Sequence, residues 1–488
     1  MLCISVAPVS RKLAKADLLN AAGQCDLIEL CLDHLLKEPD VGEMLQGIGK
    51  PIVVACRRPQ EGGKFAGTDE ERMTLLRQAI VAGPQYVELD LETAPKVPRF
   101  GKTKRLISVM SLNGPPDDVD AAYDEAAKAN ADVIKFAWPA STFEAVWPLL
   151  KIISQKRQIP TVGLLIGRSA LTLALLGRAL DVPWSYAALE RGLESVPGQP
   201  TVRDLKEIYC WDDIGPKTRF VALIGPIDQQ MAKTARVLNA AFRAIDDRHR
   251  CLPTPIRSFE RLGERLERLK INAIVVSPEF ARAAAEQAQK REGSAEPSGY
   301  ADLLLRQPDG WTAYHTFWRH AAKALEDRLG RKDEQDHPLD RRNVLVVGSG
   351  GLAQAFVYGI QRNKGIVSIT SPDEKSAQQL AQKFGLRHVP FHNLYDTLAD
   401  VVAIADPAVQ MGHGKTEINP GYFRPTMTVM DVSALPDDTL LLEEVRGRGC
   451  KVVEPSEVFR GLLAAQFESL TGKQFPAPVW DEVLANEP

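Results

Sequence analysis

At 488 residues, 44% hydrophobic and 25% charged, the chain is long enough for two or three domains with sizeable cores. Sixty basic and 63 acidic side chains leave a formal charge of -3, which gives no global basis for binding nucleic acid or an anionic membrane. Seven cysteines are dispersed without a CxxC pair, the start has no basic region ahead of an apolar run, and no apolar run approaches the roughly 18 residues of a membrane span, so a cytoplasmic protein is expected.

Eight short apolar strands are predicted in the first half, at Leu2–Ala7, Leu27–Asp33, Ile52–Arg57, Tyr86–Leu91, Leu106–Ser111, Asp132–Ala137, Thr161–Ile166 and Trp184–Leu189. Predicted helices such as Lys12–Ala22, Asp69–Ala82 and Pro116–Ala129 alternate with them. About eight strand–helix repeats within roughly 210 residues predict a (β/α)8 TIM barrel of parallel strands covered by helices. An open doubly wound sheet is the runner-up, but gives no reason to stop at eight strands. Residues 1–213 are assigned to the barrel, 214–335 to a second α/β domain and 336–488 to a third.

The sixth strand carries a lysine among apolar residues. Alternation puts Ile134 and Phe136 on the face a helix layer must cover, and Val133, Lys135 and Ala137 on the enclosed face. Burial disfavours an ammonium, and a neutral amine is a nucleophile that condenses with a ketone to form an imine. An amine facing water, or locked against a carboxylate with no space beside it, would not serve. In such barrels the active site lies at the C-terminal ends of the strands. The polar residues there are Glu29, Cys31 and Asp33, then Arg57, Arg58 and Glu61, then Glu88, Asp90 and Glu92, with Ser108 and Met110 on the fifth strand. The turn-prone loop Ser195-Val196-Pro197-Gly198-Gln199 follows the eighth.

These pieces resemble type I 3-dehydroquinate dehydratase, the Schiff-base enzyme of the shikimate pathway. The resemblance rests on IELCLDHL, CRRPQEGG, VIKFA and SVPGQ, which occur in the family's order across the whole half. It implies that Lys135 forms an imine with the ring ketone of 3-dehydroquinate without a cofactor. Glu29, Arg57 and Glu61 match pocket positions, and Ser195 and Gln199 match substrate-binding positions of the lid loop. The family's acid/base histidine falls at Met110, which carries no proton, and its strand-two arginine falls at Cys31. The arginine that follows its seventh strand falls near Ala174, leaving Arg168 or Arg178 to supply the charge. His34 is the only histidine of this half, and alternation sends it to the helix side.

Beyond a junction at Lys206–Lys217, strands are predicted at Phe220–Gly225 and Ile271–Ser277, and helices at Ala232–Ala244 and Pro278–Gln289. Charged RKDEQDHPLDRR, residues 331–342, reads as a linker. Asn343–Val347, then Gly348, Gly350, Gly351 and Ala353, then a helix to about Gln361, form the strand–turn–helix context of a dinucleotide fingerprint. Acidic residues after Thr370 suit a ribose hydroxyl, so the local charge favours NAD over NADP for a Rossmann domain. This half is similar to shikimate dehydrogenase through LIG…LNAAF, GSGGLAQA, ADP near Asp406 and a helix ending FESLTGK. The family's catalytic lysine and aspartate fall at Phe280 and Tyr314, its S-x-S motif at Ala232-Lys233-Thr234, and its NADP-reading arginine at Pro372. Together these readings predict a dehydratase acting on a small-molecule substrate, fused to an impaired dehydrogenase-like half. The alternative is a non-catalytic scaffold that binds a metabolite or nucleotide. No metal-ligand spacing is present among the histidines, and neither a nucleic-acid nor a membrane partner is expected.

Overall fold

A computed structural model describes residues 1–37, 39–330, 337–412 and 414–485. Residues 331–336 of the predicted linker lie outside the described residues. The chain divides into two units, residues 1–220 with 246–258, and residues 221–245 with 259–488.

In the first unit the strands are β1 (Leu2–Val6), β2 (Leu27–Cys31), β3 (Ile52–Ala55), β4 (Tyr86–Asp90), β5 (Lys104–Met110), β6 (Val133–Pro139), β7 (Thr161–Ile166) and β8 (Ser185–Ala188). They run β7-β6-β5-β4-β3-β2-β1-β8, every neighbouring pair parallel. The end strands β7 and β8 approach within 8 Å between Cα atoms, which closes the ring of the expected barrel. The interior holds Cys3, Leu27, Val53, Leu106, Val133, Ala137, Val162, Leu164, Trp184, Tyr186 and Val196, one cluster drawn from most of the strands. Alternation therefore operates as predicted: inward residues differ by two along each strand. The covering helices start at capping residues, for example Ser10 for Arg11–Ala22 and a Thr68/Glu71 capping box for Asp69–Val81. Segment 246–258, with β10 (His249–Pro253), also belongs to this unit; Thr172 Oγ1 donates to Pro253 O at 2.6 Å.

The second unit contains two sheets. The first follows the order β9 (Arg219–Ile224), β11 (Ala273–Val276), β13 (Leu303–Gln307), β14 (Gly310–Tyr314), β12 (Lys290–Arg291). Its β13–β14 hairpin is antiparallel, a pairing that the sequence reading lacked. The second sheet contains β15 (Asn343–Val347), β16 (Ile366–Thr370), β17 (Arg387–His388), β18 (Val401–Ile404), β19 (Thr428–Asp431) and β20 (Lys451–Val453). Its order, β17-β16-β15-β18-β19-β20, is the 3-2-1-4-5-6 arrangement of a Rossmann domain, parallel throughout. Among the described residues, no helix is long and apolar enough to cross a membrane.

Candidate active site

Four charged side chains from four strands or strand ends meet inside the barrel. Lys135 Nζ, with no exposure to solvent, donates to Glu29 Oε1 at 2.8 Å and to Glu88 Oε2 at 3.0 Å. Arg57 Nη2 donates to the same two oxygens at 2.6 and 2.7 Å, and its Nε donates to Glu88 Oε1 at 3.0 Å. Two cations thus face two carboxylates. Such a buried group is stable only when the attractions and hydrogen bonds offset the desolvation of all four members. Burial by itself would raise the Glu88 pKa, yet Arg57 and Lys135 hold its carboxyl well below the usual carboxylate range. The lysine expected among apolar neighbours is therefore ion-paired. The reason is alternation on β2 and β4, which delivers Glu29 and Glu88 to the enclosure that receives Lys135. The pairing leaves the amine usable, because a carboxylate at hydrogen-bond distance is where its proton goes when nitrogen attacks a carbonyl.

A hydrogen-bond chain connects this cluster to the loop after β8. Ser5 Oγ donates to Glu29 Oε2 at 3.0 Å, and Gln199 Nε2 donates to Ser5 Oγ at 3.0 Å. Ser195 N and Oγ donate to Gln199 Oε1 at 3.1 and 3.2 Å. Parallel pairing sets Ser5 opposite Glu29, so the link is built into the register of β1 and β2. The loop is seated by Gly167 N, which donates to Pro197 O at 2.7 Å, and by Gly198, whose φ is 78° and where a Cβ would lie 2.5 Å from Gly167 C. Ser195 and Gln199 are thus brought to the cluster.

Glu61 belongs to a second, outer cluster. It pairs with Arg58 (Oε1 to Nη2, 3.1 Å) and lies 3.8 Å from Arg72 Nη2. Arg72 pairs with Asp90 at 2.6 Å, and Arg58 reaches Asp90 at 3.2 Å and Glu92 at 2.7 Å. Cys31 sits beside Arg57, whose Nη1 donates to its Sγ at 3.6 Å. Met110 is half-buried against the barrel interior, opposite Ala137 of β6.

Two expectations change. The second strand ends at Cys31, and Leu32–His34 forms a 3-10 turn, so alternation does not govern His34. His34 Nε2 lies 3.7 Å from Asp33, which accepts from Lys64 N at 3.0 Å, and burial pushes the His34 pKa down. Arg178, in the last turn of helix Ala170–Ala179, stacks on Trp211 at 5.7 Å and acts electrostatically on the Met1 amine. That places it at the N-terminal end of the barrel, away from the strand ends where it was to supply charge. Arg168, after β7, is exposed. Sequence reading did not single out Ser5 or Tyr186, although each is an inward polar position, and it named Glu88 without its partnership to lysine.

In the second unit, Gly348, Gly350 and Gly351 form the turn from β15 into helix Gly351–Arg362, and Ala353 is buried in its first turn. A Cβ at Gly350 would meet nothing within 4 Å, while one at Gly351 would lie 2.5 Å from Pro278 O. The turn thus has open space at Gly350 for a dinucleotide's phosphates at a helix N-terminus, so these residues fit the group. The acids expected to meet a ribose are engaged locally: Asp373 caps the next helix by accepting from Ser376 N at 3.1 Å, and Glu374 accepts from Phe391 N at 2.7 Å. Phe280 stacks against Phe259 at 6.3 Å, Tyr314 ends β14, and Lys233 is ion-paired with Asp437.

Residues 2–216 match the family model described as Type I 3-dehydroquinase. The chain is 26% identical over 485 residues to the bifunctional 3-dehydroquinate dehydratase/shikimate dehydrogenase, chloroplastic, of Arabidopsis thaliana, covering 94% of this chain and 80% of that one. It is 26% identical over 268 residues to shikimate dehydrogenase (NADP(+)) of Syntrophobacter fumaroxidans, covering 53% of this chain and 90% of that one. Among solved structures, dehydroquinate dehydratase and shikimate dehydrogenase from S. pombe AroM matches with TM-score 0.43 and 18% identity, covering 99% of this chain and 98% of that one. Residues 2–216 are a type I 3-dehydroquinase domain, and a shikimate dehydrogenase-like region follows them in the same chain.

Proposed function

We propose that the first unit eliminates water from 3-dehydroquinate through an imine on Lys135. The observation that carries this reading is the fully buried amine held at 2.8 and 3.0 Å by two carboxylates inside a parallel barrel. On attack at the ring ketone, Glu29 or Glu88 receives the proton the amine releases. The protonated imine then draws electrons from the neighbouring C–H, which makes that hydrogen acidic. Arg57 neutralises the carboxylates while the lysine is engaged, and Ser195 and Gln199 hold the substrate from the loop. Glu61 holds Arg58 and Arg72 at the rim. No proton carrier stands at Met110, so elimination proceeds more slowly than with a positioned histidine, whose help is typically about 10²–10⁴-fold.

The glycine turn Gly348–Gly351 supports binding of a nicotinamide dinucleotide, NAD or NADP, by the second unit. When bound it would supply a hydride acceptor or donor. The chain has no lysine at Phe280 and no aspartate at Tyr314 to move the accompanying proton, so this half does not interconvert shikimate and 3-dehydroshikimate at an enzymatic rate. The decisive test is borohydride reduction of the protein with 3-dehydroquinate, followed by peptide mass analysis. An adduct on Lys135, lost in Lys135→Met, is expected; its absence from the unsubstituted protein would defeat the proposal. Calorimetric titration with NAD and with NADP tests the second unit.

A further inference from the structure

The ring of Tyr186 lies 4.7 Å from Lys135 Nζ, measured to its centroid. It projects from β8 into the barrel interior and is buried. Tyr186 sits in register with Cys3, two residues before the Ser5–Glu29 level, so its backbone lies deeper in the barrel than the carboxylate cluster. The lysine's hydrogen bonds all go to Glu29 and Glu88, and its contact with Tyr186 is through the ring face. Resting on the imine chemistry proposed above, we infer that Tyr186 is a positioning residue whose ring supports the cationic nitrogen of the lysine–substrate imine.

The argument is one of donor counting. Forming the protonated imine breaks the ketone C=O bond and makes C=N. Two of the three ammonium protons leave with the oxygen as water, and the positive charge stays on nitrogen. The ammonium has N–H groups for both Glu29 and Glu88. The imine keeps one N–H and bonds one carboxylate at most. A ring face attracts a cation through its quadrupole and requires no N–H. The ring's contribution therefore persists when half of the carboxylate contacts are lost, and it favours the imine over the free lysine.

The test compares Tyr186→Phe with Tyr186→Leu in the full-length protein, reading the fraction of chains trapped by borohydride at subsaturating 3-dehydroquinate. Phenylalanine keeps the ring and should leave trapping within about twofold. Leucine should lower it by roughly tenfold to thirtyfold, the range of a desolvated cation–π contact. A third series replaces Tyr186 by phenylalanines carrying successive ring fluorines, which keep the shape and drain the ring face of electron density. Trapping should fall with each fluorine, and this series decides the matter if the leucine protein does not fold. Undiminished trapping in Tyr186→Leu, or a flat fluorine series, with Lys135 still modified in the unsubstituted protein, would overturn the ring's role alone. No adduct in the unsubstituted protein would overturn the imine reading and this inference with it.

Discussion

Replacing Glu88 by glutamine probes the cluster on which the chemistry depends. Glu88 accepts from Arg57 Nε at 3.0 Å, from Arg57 Nη2 at 2.7 Å and from Lys135 Nζ at 3.0 Å. Glutamine keeps the shape and removes the charge, so Arg57 and Lys135 would share Glu29 alone, a buried excess of one positive charge. Breaking a buried pair in this way costs about 3–5 kcal/mol, against at most about 1 for an exposed pair. At a denaturation slope of about 2 kcal/mol per molar urea, the barrel's midpoint should fall by roughly 2 M at pH 7. Fluorescence of Trp138 and Trp184, both fully buried in the barrel, reports that transition. The pH dependence supplies the sign. Glu88 is held low in the fold, so its contribution is present above the unfolded carboxylate pKa of about 4.3 and is lost as pH falls below it towards the folded value. The gap between the two proteins should therefore narrow below about pH 4. Equal midpoints at pH 7, or a gap unchanged by acid, would refute the view that Glu88 carries a charge that balances the site.

Three further outcomes are expected. Met110→His restores a proton carrier at the half-buried barrel mouth, and turnover of 3-dehydroquinate should rise by about 10²–10⁴-fold; an unchanged kcat would mean another group already moves the proton. Gly198→Ala places a Cβ 2.5 Å from Gly167 C at a φ of 78°, which unseats Ser195 and Gln199, so KM should rise while imine trapping at saturating substrate persists. His315 is buried, its Nδ1 lying 3.1 Å from Ser298 Oγ, and burial pushes its pKa down to about 3. The folded ring stays neutral while the unfolded one takes a proton below about pH 6.5, so the second unit should lose about 2 kcal/mol between pH 7 and 5, and His315→Phe should lack this loss in urea unfolding at the two pH values.

The sequence by itself determined the two architectures. Period-two burial on eight short strands and a glycine turn between a strand and a helix are local signals. They specify a barrel and a Rossmann sheet because each face must find cover. The same alternation sent Lys135 inward and, read along β2 and β4, sent Glu29 and Glu88 inward too. Only the tertiary structure decided that these three share oxygens and hydrogens with Arg57, since strand register and ring closure bring together residues as far apart as 29 and 135. Inwardness alone also did not show that the lysine stands over the Tyr186 ring, that Glu61 faces Arg58 and Arg72, or that Arg178 lies at the opposite end of the barrel. A face is set by the residue's own strand, but a partner is set by where seven other strands stand.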